Sequence, residues 1–117
     1  MDCIFCNIVE GSIPARKVYE SERVIAFHDI QPAAPVHILI IPKKHIPTIN
    51  DVEQDDLPLI GDIHKAAQSI AAEQGIKDSG YRLISNCGSD GGQTVFHIHY
   101  HLLGGKNLGL LLDTRTR

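Results

Sequence analysis

The sequence has no tryptophan, few aromatic residues and no long hydrophobic run. Of its 117 residues only 5% are aromatic, and no apolar run is longer than that over Ile38–Ile41, whereas a membrane-spanning helix needs roughly 20 residues. The net charge is only −3, and apart from the pairs Arg16–Lys17 and Lys43–Lys44 the basic residues are scattered. We therefore expect neither a membrane protein nor a nucleic-acid-binding surface.

Cysteine is scarce and odd in number. The chain has three, Cys3, Cys6 and Cys87. The N-terminal MDCIFC carries an acidic residue and no basic cluster ahead of an apolar stretch, unlike a secretory signal, so we expect a cytoplasmic protein. In a reducing compartment the Cys3-x-x-Cys6 spacing is typical of metal or redox chemistry. No thioredoxin-like βαβ pattern surrounds the pair, and Cys87 is expected to be a small buried apolar residue within a strand.

The remaining pattern predicts a single α+β domain over residues 1–117. Apolar spacing predicts a short helix over 3–10 that ends at Gly11, and a long helix from Asp55 that ends before Gly75. We expect a five-stranded antiparallel sheet, because hairpin-joined strands with one long helix disfavour a parallel βαβ fold. The predicted strands are 17–20, 24–28, 37–42, 81–87 and 95–103, with 37–42 near the centre.

The most unusual segment is TVFHIHYHLLGG, residues 94–105, in which three of the seven histidines alternate with apolar residues. Because side chains alternate along a strand, one face should carry three imidazoles and the other three apolar groups; these are His97, His99 and His101 against Ile98, Tyr100 and Leu102. Burying three imidazoles in a core costs free energy, and a solvent-exposed face does not need them. The pattern therefore favours a catalytic or binding role over a structural one. Neutral imidazole can serve as nucleophile, proton carrier or metal ligand, and the residues alone leave the three roles open.

A glycine-rich loop, NCGSDGGQT at 86–94, precedes the histidines. Such loops often do no more than turn the chain, but their backbone N–H groups can also bind an anion. Placed next to three imidazoles, this loop suggests a phosphate held against a histidine.

The segment 97–103, HIHYHLL, resembles the motif His-φ-His-φ-His-φ-φ of the histidine triad (HIT) family of nucleotide-binding hydrolases and transferases. Residues 27–48, FHDIQPAAPVHILIIPKKHIPT, and 88–105, GSDGGQTVFHIHYHLLGG, are similar to its purine nucleoside phosphoramidase branch. The resemblance covers nearly the whole chain. It implies a HIT-like fold that dimerises into a larger sheet. It also implies a purine nucleotide substrate of the AMP type, and hydrolysis of nucleoside 5'-phosphoramidates or adenylates through a covalent nucleotidyl-histidine.

Residue roles follow from the same resemblance. His99 matches the nucleophile that attacks the α-phosphorus, His101 the residue that contacts the phosphate oxygens, and His37 a further pocket histidine. We expect the second ring nitrogen of His99 to donate to a backbone carbonyl, which would fix its tautomer. Thr94 stands where the phosphoramidase branch has a serine thought to assist the leaving amine; it keeps a hydroxyl but adds a methyl.

The resemblance also implies nucleotide-binding residues beyond the histidines and Thr94. Asp29 is similar to the acidic residue that binds the ribose hydroxyls. Asn86 and the backbone at Gly92, Gln93 and Thr94 would surround the phosphate that His99 and His101 contact. The purine slot would comprise five apolar residues, namely Ile4, Phe5, Ile8, Phe27 and Ile30. Plain core packing is the alternative role for Ile4, Phe5, Ile8 and Phe27, and capping of a turn is the alternative for Asp29.

Members of the wider superfamily, including galactose-1-phosphate uridylyltransferases, bind zinc through C-x-x-C and two histidines. Carried over to this sequence, the pattern implies a closed, structural Zn²⁺ site of Cys3, Cys6, His45 and His97.

Three other functions compete with this interpretation. The first is a dinucleoside polyphosphate hydrolase or nucleotidyltransferase that uses the same nucleophile. The second is an enzyme in which the three triad histidines bind a catalytic zinc, although side chains spaced by roughly 6.7 Å along a strand converge on one ion only with difficulty. The third is a purine nucleotide-binding module without catalysis.

Overall fold

The computed structural model describes residues 3–111 of the chain. Over this range it forms two α-helices, two short 3-10 helices and five strands. In chain order these are α1 Ile4–Glu10, β1 Lys17–Glu20, β2 Val24–His28, β3 Val36–Pro42, the 3-10 helices Ile49–Asp51 and Gln54–Asp56, α2 Leu57–Glu73, β4 Tyr81–Ile84 and β5 Tyr100–Gly104. None of the helices in the described range is both long enough and apolar enough to cross a membrane.

The five strands form one antiparallel sheet in the order β1-β2-β3-β5-β4. The apolar strand β3 is central and buried from His37 to Pro42. The predicted α+β class, the five-stranded antiparallel sheet and the two helices of unequal length are therefore confirmed.

The two helices cover opposite faces of the sheet. On one face α2 packs Ile63, Ala66 and Ile70 against β-strand residues that include Ile38 and Ile40. Pro58 lies in the first turn of α2, where its missing N–H removes no helical hydrogen bond.

On the other face α1 buries Phe5 and Ile8 against Ile25, Phe27 and Leu39. The helix ends at Gly11, whose positive φ of 87° suits glycine. Burial of each large apolar side chain contributes about 1.5–3 kcal/mol. The short α1 is therefore held by packing, and it lies over the histidine side of the sheet.

The histidine strand is shorter than the predicted 95–103. β5 begins at Tyr100, which pairs with Ile40. Continuing this register would place Ile98 opposite Pro42, and proline has no N–H to offer the ladder. The Ile98 amide donates instead to the Ile46 carbonyl at 2.6 Å. His97 and His99 therefore precede the strand rather than lying on it.

The strand predicted over 81–87 ends at Ile84 for a related reason. β4 is an edge strand that pairs only with β5 within the described residues, and its last partner is His101. In the same register Ser85 would lie opposite Tyr100, where β5 begins, and positions 86 and 87 would lie opposite residues that precede β5. The prediction for Cys87 is wrong, because the residue lies outside the strand and is only half-buried.

Candidate active site and metal-binding cluster

The side chains of 97–102 alternate between two sides as predicted, although β5 is shorter than predicted. Ile98 and Leu102 belong to the core beneath α2, and Tyr100 packs against it. The rings of His97 and His99 contact Phe5 of α1 on the opposite face, with centroids 5.9 Å and 5.1 Å away. Imidazoles and apolar side chains thus occupy opposite sides, as expected.

His99 is buried, with 6% of its surface exposed, and its tautomer is set by the backbone. Its Nδ1 lies 2.8 Å from the His97 carbonyl oxygen. Since a carbonyl only accepts, Nδ1 carries the proton and donates, which leaves a lone pair on Nε2. The Ser85 hydroxyl donates to the carbonyl of His99 itself at 2.9 Å and holds the backbone of that residue. The Nδ1 of His99 therefore has the backbone acceptor that was expected, and its Nε2 is left without a proton.

His101 and His37 form a directed hydrogen-bonded pair beside His99. The Ala33 amide donates to His37 Nδ1 at 2.9 Å, so the proton of neutral His37 is on Nε2. That nitrogen lies 2.9 Å from His101 Nδ1. When it donates there, the proton of His101 is on its own Nε2. The rings of His99 and His101 are 5.2 Å apart, so the site offers a nucleophilic nitrogen next to a ring N–H donor.

Burial and neighbouring charges keep His101 neutral. Burial lowers the pKa of His101 below its usual value of about 6.5, the nearby His99 and His37 rings lower it further, and the Asp29 carboxylate opposes the shift. A neutral ring can donate from one nitrogen while accepting at the other, as the pair with His37 requires.

Cys3, Cys6, His45 and His97 form a second cluster next to the first. The C-x-x-C sits at the start of α1, where the Cys6 amide donates to Cys3 Sγ at 3.3 Å. His97 Nδ1 lies 3.4 Å from Cys3 Sγ, 3.5 Å from Cys6 Sγ and 3.2 Å from His45 Nδ1. Cys6 Sγ lies 3.2 Å from His45 Nδ1. These four atoms are close enough to bind one metal ion, as the sequence pattern implied.

Within this cluster His97 is in the protonation state that metal binding requires, whereas Cys6 must first lose a proton. His97 Nε2 lies 2.7 Å from the Pro42 carbonyl and must donate to it, so the Nδ1 lone pair faces the thiols. Burial lowers the pKa of His97 and keeps the ring neutral. Burial, reinforced by the adjacent Cys3, raises the pKa of Cys6 to about 11, so in this arrangement its thiol is protonated and metal binding would release that proton.

The three triad histidines do not converge on one site. Nδ1 of His97 faces the cysteines, Nδ1 of His99 faces a carbonyl, and Nδ1 of His101 faces His37. Among the described residues, the other potential metal-binding group is Asp29, His37 and His101. This geometry argues against the rival in which His97, His99 and His101 hold a catalytic zinc.

The glycine-rich loop is held by the side chain of Gln93, a role that the sequence analysis missed. Gln93 Oε1 accepts from the Gly88 amide at 2.9 Å, and Nε2 donates to the carbonyls of Pro47 and Val95 at 2.7 Å and 3.0 Å. A Cβ at Gly91 would lie 2.5 Å from the Cys87 carbonyl oxygen, so glycine is required there. Side chain and backbone together fix the shape of the loop.

Two of the three amides that were predicted to bind phosphate already donate hydrogen bonds within the loop. The Gly92 and Gln93 amides donate to the carbonyls of Ser89 and Gly88, both at 3.0 Å, so a bound phosphate would have to share or replace these bonds. Among residues 3–111 the Thr94 amide has no such acceptor. Thr94 is exposed and lines a shallow cavity of about 310 Å³ with Cys3, Ile4, Val95 and Phe96. Asn86 is half-buried at the start of the loop.

The predicted purine-slot residues are not all in one environment. Phe5, Ile8 and Phe27 are buried in the core under α1, where Phe5 and Phe27 pack edge to face at 5.8 Å. Ile4 is on the outer side of α1, and Ile30 is 94% exposed. Phe5 packs edge to face against the ring of His99, with centroids 5.1 Å apart. The nucleotide contacts of these residues stay predictions.

Asp29 lies close to His37 and His101. Its Oδ2 is 3.3 Å from His37 Nε2, and its Oδ1 accepts from the Gln31 amide at 2.8 Å. The second contact is the turn-capping bond that the alternative interpretation proposed. The carboxylate therefore caps the turn and also faces the site.

Several groups that shape the site are backbone atoms without a sequence signature. They are the carbonyls of Pro42 and His97 and the amide of Ala33, each of which fixes the tautomer of one histidine. Ser85 and the side chain of Gln93 had a weak signal at best, since Ser85 adjoins the predicted loop and Gln93 lies within it.

Comparison with known proteins gives consistent matches. A family described as "Scavenger mRNA decapping enzyme C-term binding" matches residues 2–116. The chain is 50% identical over 108 residues to a HIT-like protein of Chlamydia pneumoniae, covering 92% of this chain and 97% of the relative. It is 49% identical over 111 residues to the purine nucleoside phosphoramidase of Escherichia coli strain K12, covering 95% and 93%.

Solved structures agree with these sequence matches. A HIT family hydrolase from Legionella pneumophila Philadelphia 1 superposes with a TM-score of 0.90 at 52% identity, covering 92% of this chain and 96% of the other. A histidine triad protein from Clostridium difficile gives a TM-score of 0.92 at 51% identity, covering 94% and 96%.

Proposed function

The chain belongs to the histidine triad (HIT) family, and from this premise we propose that it hydrolyses purine nucleoside 5'-phosphoramidates, or related adenylates, to the nucleoside monophosphate. The observation that carries the proposal is the tautomer of His99. Its proton is committed to the His97 carbonyl, so the buried Nε2 lone pair is available for attack. A similar protein of Escherichia coli bears the name purine nucleoside phosphoramidase.

The reaction proceeds in two displacements. His99 Nε2 attacks the α-phosphorus, a nitrogen–phosphorus bond forms, and the bond from phosphorus to the substrate amine breaks. The amine leaves with one proton taken up from solvent, for which Thr94 is the relay that the family resemblance assigns. Water then attacks phosphorus and gives up one proton to solvent, the bond between His99 Nε2 and phosphorus breaks, and the monophosphate leaves His99 in its neutral form. The bond to the His97 carbonyl stabilises the positive charge on the His99 ring in the intermediate.

His101 supplies the hydrogen bond that stabilises the transition state. With Nδ1 accepting from His37, its Nε2–H is oriented to donate to a phosphate oxygen. A preorganised donor of this kind is worth about 3–4 kcal/mol when negative charge develops on that oxygen. His37 acts through His101 and is a positioning residue.

We also propose that Cys3, Cys6, His45 and His97 hold a structural zinc ion. With Zn–S bonds of about 2.3 Å and Zn–N bonds of about 2.0–2.1 Å, a tetrahedral site places its ligand atoms about 3.3–3.8 Å apart. The four measured separations run from 3.2 to 3.5 Å and fit this with little adjustment. A zinc ion would tie α1 to the segment that carries His99. Thiol ligands need a reducing compartment, which favours the cytoplasm as the place of action.

Metal analysis and chelation test the zinc site. The purified protein should contain one zinc per chain, and a strong chelator should lower its melting temperature. In Cys6→Ser zinc should be lost, whereas the matched variant Cys87→Ser should keep it. A metal-free protein whose melting temperature does not respond to added zinc would contradict the proposal.

We propose a homodimer in which two sheets join, as the family resemblance implies. The outer edge of β4 has no partner strand among the described residues, and a second copy would pair it. The molar mass in solution should be twice that of one chain, and a monomer at micromolar concentration would contradict this assembly.

Substrate comparison tests the proposed reaction against its rivals. Adenosine 5'-phosphoramidate should be turned over with a higher kcat/KM than diadenosine polyphosphates; the reverse order would assign a polyphosphate hydrolase. His99→Asn keeps a donor for the His97 carbonyl but removes the Nε2 lone pair, so it should bind AMP and lose turnover. The matched variant His64→Asn, on the exposed side of α2, should keep both. AMP binding without turnover in the unaltered protein would indicate a binding module.

A further inference from the structure

The two cysteines of the metal-binding cluster differ in their access to solvent. Cys3 is half-buried and lines the shallow cavity of about 310 Å³ at the start of α1, whereas Cys6 is buried, with 8% of its surface exposed. Ile4 and Phe96 line the same cavity and are 47% and 51% exposed, so solvent enters it. A small oxidant therefore reaches Cys3 more readily than Cys6.

The buried sulfur lies next to the accessible one. Both Sγ atoms belong to a group of four ligand atoms that all lie within 4.8 Å of one another, and the Cys6 amide donates to Cys3 Sγ at 3.3 Å. A disulfide needs an S–S bond of about 2.05 Å and Cα atoms roughly 4.4–6.8 Å apart. Cys3 and Cys6 are separated by one helical turn, which advances about 5.4 Å along the helix axis. Rotation of the two side chains can therefore join the sulfurs without moving α1.

We propose that Cys3 and Cys6 are a site of reversible oxidation, at which a hydroperoxide forms a disulfide between them and the zinc ion is released. The inference rests on the zinc site proposed above. The Cys3 thiolate attacks the peroxide, the O–O bond breaks, hydroxide leaves and Cys3 becomes a sulfenic acid. The Cys6 thiolate then attacks this sulfur, an S–S bond forms and a second hydroxide leaves. The two sulfurs supply the two electrons, and two protons from solvent convert both hydroxides to water.

A disulfide cannot hold the metal. Zinc binds cysteine as the thiolate, and oxidation removes both thiolates at once. Only His45 and His97 of the four ligands are left, too few for a closed structural site. The ring of His97 stays bonded to the Pro42 carbonyl through Nε2, but its Nδ1 no longer shares an ion with α1.

Two contacts connect the oxidation site to the candidate active site. Phe5, which precedes Cys6 on α1, packs edge to face against the ring of His99 with centroids 5.1 Å apart. The carbonyl of His97 accepts from His99 Nδ1 at 2.8 Å. Because zinc release frees α1 from His97, we expect both contacts to weaken and turnover to fall. In a reducing compartment such a disulfide is transient, so reduction in the presence of zinc should restore turnover.

The experiment treats the reduced, zinc-loaded protein with hydrogen peroxide and follows released zinc with a chromogenic chelator. Zinc release should match disulfide formation, and the mass of the metal-free chain should fall by about 2 Da through the loss of two hydrogens. Cleavage after Arg16 separates residues 1–16 from Cys87, so the disulfide should lie within that peptide. A zinc-loaded protein that forms no disulfide there, or one that includes Cys87, would overturn this inference alone. A reduced protein that binds no zinc would overturn the zinc site as well.

Variants test which sulfur is attacked. Cys87→Ser should release zinc and form the disulfide as the unaltered protein does. Cys6→Ser and Cys3→Ser each lose one zinc ligand, so they form a matched pair. In Cys6→Ser the sulfenic acid of Cys3 has no thiol to resolve it, and dimedone should trap it. Cys6 in Cys3→Ser should be labelled about tenfold less, because it is buried. Stronger labelling of Cys6 would overturn the order of attack.

Turnover tests the link to the active site. Amine release from adenosine 5'-phosphoramidate should fall about tenfold on oxidation, in line with the losses that follow changes around a metal site. Dithiothreitol with added zinc should restore it. Unchanged turnover in the oxidised, zinc-free protein would overturn the coupling, whereas the mass and zinc measurements hold even if the reduced protein does not turn over this substrate.

Discussion

The side chain of Gln93 connects three parts of the chain, and its removal tests how the glycine-rich loop is held. It is 6% exposed and makes three hydrogen bonds, to the Gly88 amide and to the carbonyls of Pro47 and Val95. Each such bond contributes about 0.5–1.5 kcal/mol net, and an orphaned buried partner costs more. We expect Gln93→Ala to lower the free energy of unfolding by about 2–4 kcal/mol and to weaken AMP binding.

Two further variants separate hydrogen bonding from lost volume. Gln93→Glu keeps the size and the acceptor for Gly88, but it turns a carboxylate oxygen toward the carbonyls of Pro47 and Val95. It should therefore destabilise the protein although no cavity forms. Gln68→Ala, on the exposed face of α2, should change stability by less than about 0.5 kcal/mol. Urea unfolding followed by circular dichroism measures all three. A Gln93→Ala variant no less stable than Gln68→Ala would refute the reasoning.

Three other predictions follow from single positions. Gly61→Ala should stabilise the protein by about 0.5–1 kcal/mol in urea unfolding, because the added methyl meets nothing within 4 Å on α2; destabilisation would contradict this. Gly91→Ala should lower both stability and AMP affinity, measured by melting and calorimetry, because its Cβ meets the Cys87 carbonyl; an unchanged affinity would argue against a fixed loop. The pKa of His101 is lowered in the fold, so the unfolded chain takes up its proton first and stability should fall as pH drops below about 6.5. His101→Asn should weaken that pH dependence, and an unchanged slope of unfolding free energy against pH would contradict it.

Periodicity alone gave most of the fold correctly. The structure contains the predicted hairpin of 17–20 and 24–28 and the central strand that ends at Pro42. In these strands the local pattern of apolar residues and the burial of those residues in the fold favour the same structure. The ends of the two strands before and after the glycine-rich loop were wrong. Their limits depend on which residue lies opposite, and the missing N–H of Pro42 is visible only once β3 and β5 are paired in register.

In the site, too, the local sequence identified the side chains, whereas their backbone partners depend on the fold. The side chains of His37, Asp29, His99 and His101 were predicted from motif and resemblance, and the structure brings them together. A backbone acceptor for His99 was expected, but the atom that provides it and the tautomers of His37 and His97 were not predictable, because they depend on the carbonyls of Pro42 and His97 and on the Ala33 amide. Those atoms occur in every residue, and only the fold decides which of them meets an imidazole.

The most direct test of the account is to find where the nucleotide is bonded during turnover. The protein is mixed with adenosine 5'-phosphoramidate, quenched within one turnover and digested at neutral pH, since nitrogen–phosphorus bonds on histidine are labile in acid. Cleavage after Arg82 and Lys106 yields one peptide that contains the whole triad. Fragmentation should locate the nucleotidyl group on His99, with none on His97 or His101 and none in His99→Asn. An adduct on another residue, or unchanged turnover in His99→Asn, would contradict the central claim.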